Sequence, residues 1–457
     1  MPKNPYYIGQ YSLIIFLEKF FAISIDFSNK LLTPFLAALL IPYFSFKFLK
    51  NWINDNKTKI LLPIVIILSL IVGFSPFIVS TPQNLAYLFL FASVIYNLNR
   101  QVLPFGLLSA LATFFIHPIA GIPAIIFSLF FIANKYIKKS VYKKLASYLT
   151  YASLLVFPII SLIIATNALF DFNVKINIYN IFWPVRESFN LNFVYFLANN
   201  YYLILIVLIL FFIYKYRKDE KLKALHTNIK FSLILLLSAF ISYFLNHSAL
   251  IDYEQGDYSK RLITIALIFI LPLFLFILYK LIEKINNTEK IIKYPFLVFL
   301  SLLITISLYL SYPRFDNYHN SRAYSISNYD LKAVEKVDTI ALQNYIVLAN
   351  QQVSVAALSK KGFHRNYYKS DLGNLYFYSI PTGGPLYQFY LDMVYEEANR
   401  ETMLKAMKLA NVSEAFFIIN DYWWASERII NEALLSSDNH YIIDEGKVYI
   451  FHYLKNN

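Results

Sequence analysis

The chain has no cysteine, which excludes a disulfide framework, a thiolate metal site and a cysteine nucleophile. Charge is also scarce. Only 15% of its 457 residues are Asp, Glu, Lys or Arg, whereas a soluble globular chain carries roughly 25%. It contains no Ser-His-Asp arrangement, no H-E-x-x-H motif and no nucleotide fingerprint, so those routes to hydrolysis or nucleotide chemistry have no signal here. What fills the chain instead is apolar: 58% of residues are hydrophobic and 18% are aromatic. Most of its length therefore reads as a polytopic membrane protein.

The formal charge of +13 would point to nucleic acid in a soluble protein, because basic surface releases counterions from phosphates. Here the Lys and Arg fall mainly in short links between apolar runs, so membrane topology accounts for them and no nucleic-acid partner is expected. Apolar runs at 31–48, 60–79, 85–98, 102–117, 119–133, 145–169, 191–214, 231–245, 262–279 and 294–310 predict about ten transmembrane helices, each about long enough for a hydrocarbon core near 30 Å. The first run, 8–28, carries Glu18, Lys19 and Asp26 and lacks a small-residue cleavage site. It is no cleavable signal peptide, and it reads either as a membrane-surface helix or as a span.

Alternate links are rich in lysine: Lys47 to Lys59, Lys135 to Lys144, Lys215 to Lys230 and Lys280 to Lys293. The positive-inside rule assigns them to the cytoplasm of a plasma-membrane protein. His117, the loop 170–190, the loop 246–261 and everything beyond Ser311 are then expected outside. From about Tyr312 the composition becomes that of a soluble domain, which divides the chain into a transmembrane domain, 1–312, and an extracytoplasmic α/β domain, 313–457. In the latter, strands are predicted at 344–349, 375–380 and 414–419, with a hairpin at 440–443 and 447–453. Helices are predicted at 330–337, 351–359, 386–396, 400–409 and 425–435. That alternation predicts an α/β layer fold.

The loop 246–261 gathers three carboxylates, a lysine and an arginine within ten positions of one another. Asp252, Glu254 and Asp257 can supply a general base or hold a divalent cation: a base needs one carboxylate within reach of a substrate hydroxyl, and a hard cation needs several oxygen ligands. Their D-x-E-x-x-D spacing is no calcium-loop pattern, so no metal site is assigned. Lys260 and Arg261 stand where the chain re-enters the membrane. They suit a lipid-linked phosphate, for which Arg offers a bidentate fork, or they anchor the helix by snorkelling. His117, Arg186 and Glu187, assigned to the same side, are possible substrate contacts; for His117, next to Pro118, a structural role at the span end is the competing reading. In the C-terminal domain, the turn Thr382-Gly383-Gly384-Pro385 can present backbone N–H groups to an anion or serve as a plain tight turn. Tyr422, Trp423 and Trp424 can stack on a sugar ring or pack their domain down.

Arg261 opens a late span containing Leu271-Pro272-Leu273, and the segment Pro5-Tyr6-Tyr7-Ile8-Gly9-Gln10 precedes an apolar helix and Leu31-Leu32-Thr33-Pro34. With the polytopic core and the outward α/β domain, these features make residues 1–312 resemble the GT-C class of membrane glycosyltransferases. The resemblance implies transfer of a sugar from a polyprenyl-phosphate donor to an envelope acceptor, with Arg261 as the donor-phosphate contact and membrane lipid as the surrounding. Members of that class carry a catalytic carboxylate in a first outer loop, after a first span. No such span and loop precede Pro5 in this sequence, which leaves an N-terminally incomplete version, a base elsewhere, or a relative that no longer transfers sugar. No catalytic residue is carried over by position, and Asp252, Glu254 and Asp257 are candidates from their chemistry alone. Two other classes of function are a lipid-linked glycan transporter or flippase and a non-catalytic membrane assembly protein with a binding α/β domain. A transporter calls for charge at mid-span and internal symmetry, and the apolar runs, Glu18 and Lys19 apart, are nearly free of charge.

Overall fold

The computed structural model describes residues 8–50, 80–99, 103–158, 201–244, 257–286, 294–299, 326–342, 344–362, 366–370, 373–378, 385–423 and 425–455, with a few further positions besides. Two compact units divide the chain between Tyr312 and Pro313. Nearly all of the predicted span 60–79, the second part of the span 145–169 from residue 159 on, and about half of 294–310 lie outside the described residues, as do the loop 170–190 with Arg186 and Glu187, the loop residues Asp252 and Glu254, Thr382 to Gly384, and Trp424.

The first unit is helical: α1 Ile8–Phe21, α2 Ile25–Lys50, α3 Pro82–Leu98, α4 Leu103–Ile116, α5 Pro118–Tyr136, α6 Ser140–Ser153, α7 Tyr201–Lys215, α8 Glu220–Ala224, α9 His226–Phe244 and α10 Asp257–Asn286. Among the described residues, three helices are long and apolar enough to cross a membrane, Phe27–Lys50, Pro118–Tyr136 and Arg261–Leu281. Leu103–Ile116 and His226–Ser242 are apolar but shorter. The run 8–28 resolves into α1, a left-handed residue at Ala22 (φ 53°) and the start of α2. At 14 residues, α1 is about 21 Å long, short of a hydrocarbon core near 30 Å. Gln10 Nε2 donates to the Ser80 carbonyl at 3.3 Å, and the Thr33 N–H donates to Ser80 Oγ at 3.0 Å. The chain that leaves Ser80 at Gln10 is thus back beside it by Thr33. Glu18 and Lys19 pair with each other at 3.3 Å at the exposed side of α1.

Helix α3 is buried almost all round from Leu85 to Ile95 and packs against α1, α2, α4, α5 and α10. A helix that is apolar on every face belongs inside a bundle. Its buried polar residues tie it to its neighbours. Ser93 Oγ donates to the Gly106 carbonyl of α4 at 2.9 Å, and Asn97 Nδ2 donates to Ser128 Oγ of α5 at 2.8 Å. Gly106 has no side chain to hold Asn97 off: a Cβ there would stand 2.7 Å from its amide atoms. Small residues admit this close approach where lipid supplies no hydrophobic drive. On the other side, Phe127 of α5 meets Phe231 of α9 and Phe269 of α10 with ring centroids 4.9 and 5.0 Å apart.

In the second unit, α11 Asn328–Ile340 leads to β1 Tyr345–Leu348, α12 Gln351–Lys361, the hairpin β2 Asn366–Ser370 and β3 Gly373–Tyr376, and α13 Pro385–Tyr395. Then come α14 Arg400–Ala410, β4 Glu414–Asn420, α15 Ser426–Ser436, β5 Asn439–Ile443 and β6 Val448–Leu454. The main sheet runs β1-β4-β6-β5, with β1 and β4 parallel and the rest antiparallel. Alternate residues of β4 face opposite cores. Ala415, Phe417 and Ile419 pack with α13, α14 and α15, while Phe416 and Ile418 pack with α11 and α12. The sheet is therefore the middle of three layers, which is why β4 reads as a continuous apolar run. The turn into β6 runs left-handed through Asp444, Glu445 and Gly446, at φ 44°, 56° and 91°, the conformation a tight hairpin needs.

One predicted strand is divided. Instead of a single strand over 375–380, β3 ends at Tyr376 in its own hairpin with β2, and Tyr378 alone bridges Val347 in parallel. The Val347 N–H donates to the Phe377 carbonyl. The apolar alternation of Leu375 to Ile380 carries no mark of this change of partner.

Candidate functional site: a polar cluster around Arg261

At one end of the helical unit the start of α3, the α4–α5 corner and the start of α10 come together. Thr81 caps α3 by accepting the Asn84 N–H at 3.2 Å, and Pro82 fits the first turn, where its missing N–H costs nothing. This capped start aims Gln83 and Tyr87 along one face, four residues apart. Gln83 Nε2 donates to the Tyr87 hydroxyl at 2.6 Å, and the same hydroxyl is hydrogen-bonded with Thr264 of α10. Tyr87 is buried.

His117 forms the corner between α4 and α5. Its backbone is extended, at φ −153°, its N–H donates to the Thr113 carbonyl at 2.8 Å, and its carbonyl accepts the N–H of Gly121 at 3.0 Å. Pro118 starts α5, as a residue with no N–H to satisfy can. The corner closes tightly because position 121 is glycine: a Cβ there would strike the backbone of Phe114. His117 is only 2% exposed, so its side chain is packed among the helices that meet at this corner.

Arg261 joins the two. Half-buried in the second turn of α10, its guanidinium is near enough for its charge to act on both the Tyr87 hydroxyl and the His117 imidazole. The arrangement offers one permanent cation, a phenol and an imidazole in a largely buried setting. A fixed fork of N–H donors beside further hydrogen-bonding groups suits a phosphate-sized anion.

Of the sequence-predicted site residues, the structure brings His117 and Arg261 together. Asp257 and Lys260 lie on the first turn of α10; the positions of their side chains, and of Asp252, Glu254, Arg186 and Glu187, fall outside the described residues. Gln83, Tyr87 and Thr264 were not predicted. The Gln83–Tyr87 spacing in an otherwise apolar run was the available signal. Among the described residues no three His, Cys, Asp or Glu side chains gather into a metal-binding group.

In the second unit, Tyr422 and Trp423 follow the carboxyl end of β4. Asn350 Nδ2 donates to the Tyr422 hydroxyl at 3.0 Å, and Trp423 meets Tyr390 edge-on with ring centroids 6.1 Å apart. Both rings are partly exposed, so packing and an open face coexist in them. No protein-family model, no curated protein and no solved structure matches this chain.

Proposed function

We propose that this chain is a multi-pass membrane glycosyltransferase-like protein with about ten spans, which moves a sugar from a polyprenyl-phosphate donor to an envelope acceptor on the outer face of a plasma membrane. The donor phosphate is held by Arg261, with Lys260 beside it. The observation that carries this reading is the convergence of Arg261, His117 and Tyr87 at one end of an apolar bundle, where a lipid head group would meet them.

In this reading the acceptor hydroxyl oxygen attacks the anomeric carbon as the bond from that carbon to the phosphate oxygen breaks. The hydroxyl proton passes to a carboxylate, for which Asp252, Glu254 and Asp257 are the candidates, and the electron pair of the broken bond leaves on the phosphate. Charge grows on that oxygen in the transition state, so a preorganised guanidinium stabilises the transition state more than the ground state. Gln83 and Thr264 hold the Tyr87 hydroxyl within reach of the Arg261 charge. The C-terminal domain is extracytoplasmic in this scheme.

The test is transfer of labelled sugar from a polyprenyl-phosphate donor by the full chain in lipid nanodiscs. Arg261→Ala should lower transfer by about 100-fold or more, the scale of losing one transition-state donor, while Arg261→Lys keeps part of it. Wild-type transfer by a folded Arg261→Ala chain removes Arg261 from the mechanism.

A further inference from the structure

The carboxyl edge of the second unit's parallel strands collects polar and aromatic groups. β1 and β4 run parallel, Tyr378 bridges Val347 in the same sense, and β4 continues to Asn420 past the end of β1; in open α/β sheets the crevice beyond such ends is where ligands bind. Asn350 follows β1 and caps α12, accepting the Val353 N–H at 3.0 Å. Its amide donates to Asn420 Oδ1 at 2.7 Å and to the Tyr422 hydroxyl at 3.0 Å. Asn420 in turn donates to Asp330 Oδ1 at 2.8 Å. This chain anchors the Tyr422 hydroxyl.

In front of it stand Tyr387 and Tyr390 of α13 and Trp423. Tyr387 is hydrogen-bonded with Gln351 at the start of α12, and its ring lies 5.6 Å from that of Tyr390. Tyr390 is 0% exposed, yet its hydroxyl has no hydrogen-bond partner, and neither has the buried indole Nε1 of Trp423. An unmade bond at a buried polar group costs about 1–3 kcal/mol, and phenylalanine would fill the place of Tyr390 without that cost. Burial drives the Tyr390 hydroxyl well above its ordinary range, so it stays an O–H donor. The indole N–H is a donor only.

Two donors without acceptors, beside three partly exposed aromatic rings, describe a ligand with oxygen acceptors on an apolar-faced ring. Apart from Asp330, whose carboxylate is taken up by Ser327 and Asn420, the charges at the edge are paired: Lys447 meets Asp421 at 2.8 Å. An uncharged ligand fits that balance better than a phosphate or carboxylate. We propose that the carboxyl edge of this sheet is a binding site for a neutral saccharide, stacked on Tyr387, Tyr422 and Trp423 and hydrogen-bonded by Tyr390 and Trp423. A pyranose supplies both features, C–H faces for the rings and hydroxyl oxygens for the donors. The proposal is independent of transfer at Arg261.

The full chain in nanodiscs, probed by saturation-transfer difference NMR with maltotetraose, chitotetraose and mannotetraose, tests it. At least one of these should show saturable transfer from the aromatic protons to sugar C–H protons, with Kd below about 10 mM. Trp423→Phe should weaken that binding about tenfold, and Tyr390→Phe should do the same while unfolding at the same or a higher temperature, because it removes an unsatisfied hydroxyl. A purely structural Tyr390 would leave binding untouched. Absence of saturable binding by all three sugars, binding unaffected by both variants, or saturable binding of adenosine alone overturns the proposal. Sugar binding with Arg261→Ala fully active in transfer would leave this site standing and remove the other.

Discussion

In the helical unit, Ser93, Ser232, Ser238 and Asn228 each donate to a backbone carbonyl of a neighbouring segment. In the second unit, Asp330, Asn420 and Asn350 bond to one another side chain to side chain. The outer surfaces differ in parallel. Phe20, Phe35, Phe105 and Phe115 of the helices are 56% to 73% exposed, whereas among the described residues of the second unit no phenylalanine is exposed. The two habits answer two solvents. Lipid is as apolar as a phenylalanine, so helices gain little by hiding rings and instead pack closely and satisfy stray hydroxyls on carbonyls. Water makes burying a ring favourable by about 1.5–3 kcal/mol, and a carboxylate taken inside must be met by donors.

The contrast breaks most sharply at Asp330. Its Oδ2 accepts from the N–H and Oγ of Ser327 at 2.7 and 2.8 Å, and its Oδ1 accepts from Asn420. Asp330→Ala undoes the capping box of α11 and leaves the Asn420 amide buried with a donor unmet. The expected loss is about 2–4 kcal/mol, read as loss of hydrogen-exchange protection across β4 with the helical unit unaltered. Unchanged protection would mean that the chain of polar bonds is incidental to the sheet.

Gly121→Ala probes the other unit where its close packing is most extreme. The added methyl meets the Phe114 backbone, so the α4–α5 corner must open. Overpacking of this kind costs about 1–3 kcal/mol, measurable as a lower unfolding temperature in lipid. The variant should also lower sugar transfer, because His117 sits in that corner.

Much of the second unit was legible from pattern alone. The apolar blocks of β1 and β4, the caps Asn350 and Asn399 and the Asp444-Glu445-Gly446 turn declare themselves within a few residues. β2 was missed and the stretch after Leu375 misread, because Asn366 to Ser370 has no apolar face and the Tyr378 bridge depends on a partner distant in sequence. In the helical unit the lysine-rich links predict His117 and the loop 246–261 on one side, and the charge of Arg261 does reach His117. The meeting of Tyr87, His117 and Arg261 was not legible, since they come from three separate stretches of the chain and nothing in one stretch marks the others. Which helices touch is decided by packing, and periodicity carries no record of it.

A milder test of the water-facing unit uses acid. Burial pushes the Asp438 carboxyl up, but hydrogen bonds from Arg400 and the Leu454 N–H, with the Arg400 charge, outweigh it and hold the group below its ordinary value of 3.8. A depressed folded value means the stabilisation is complete above about pH 4 and fades as pH falls through the folded value. The Arg400–Asp438 pair, 2.9 Å long and partly exposed, is worth about 1 kcal/mol at most. Asp438→Asn should therefore flatten the acid side of the second unit's unfolding curve; an unchanged slope would assign its acid sensitivity to other carboxylates.

The smallest effect is expected where a naive count of hydrogen bonds would place a large one. Ser232 Oγ donates to the Ala266 carbonyl at 2.7 Å, buried between α9 and α10. In a separated helix in lipid, that hydroxyl would turn to a carbonyl of its own preceding turn, and the Ala266 carbonyl keeps its intrahelical partner. Ser232→Ala then exchanges little, about 0.6 kcal/mol by the measured scale of such bonds, against several times that for Asp330→Ala. Equilibrium unfolding in lipid bicelles compares the two directly. If Ser232→Ala cost as much as Asp330→Ala, the bundle would owe its cohesion to polar bonds in the manner of the second unit, and the close approach at Gly106 and Gly121 would be its consequence instead of its cause.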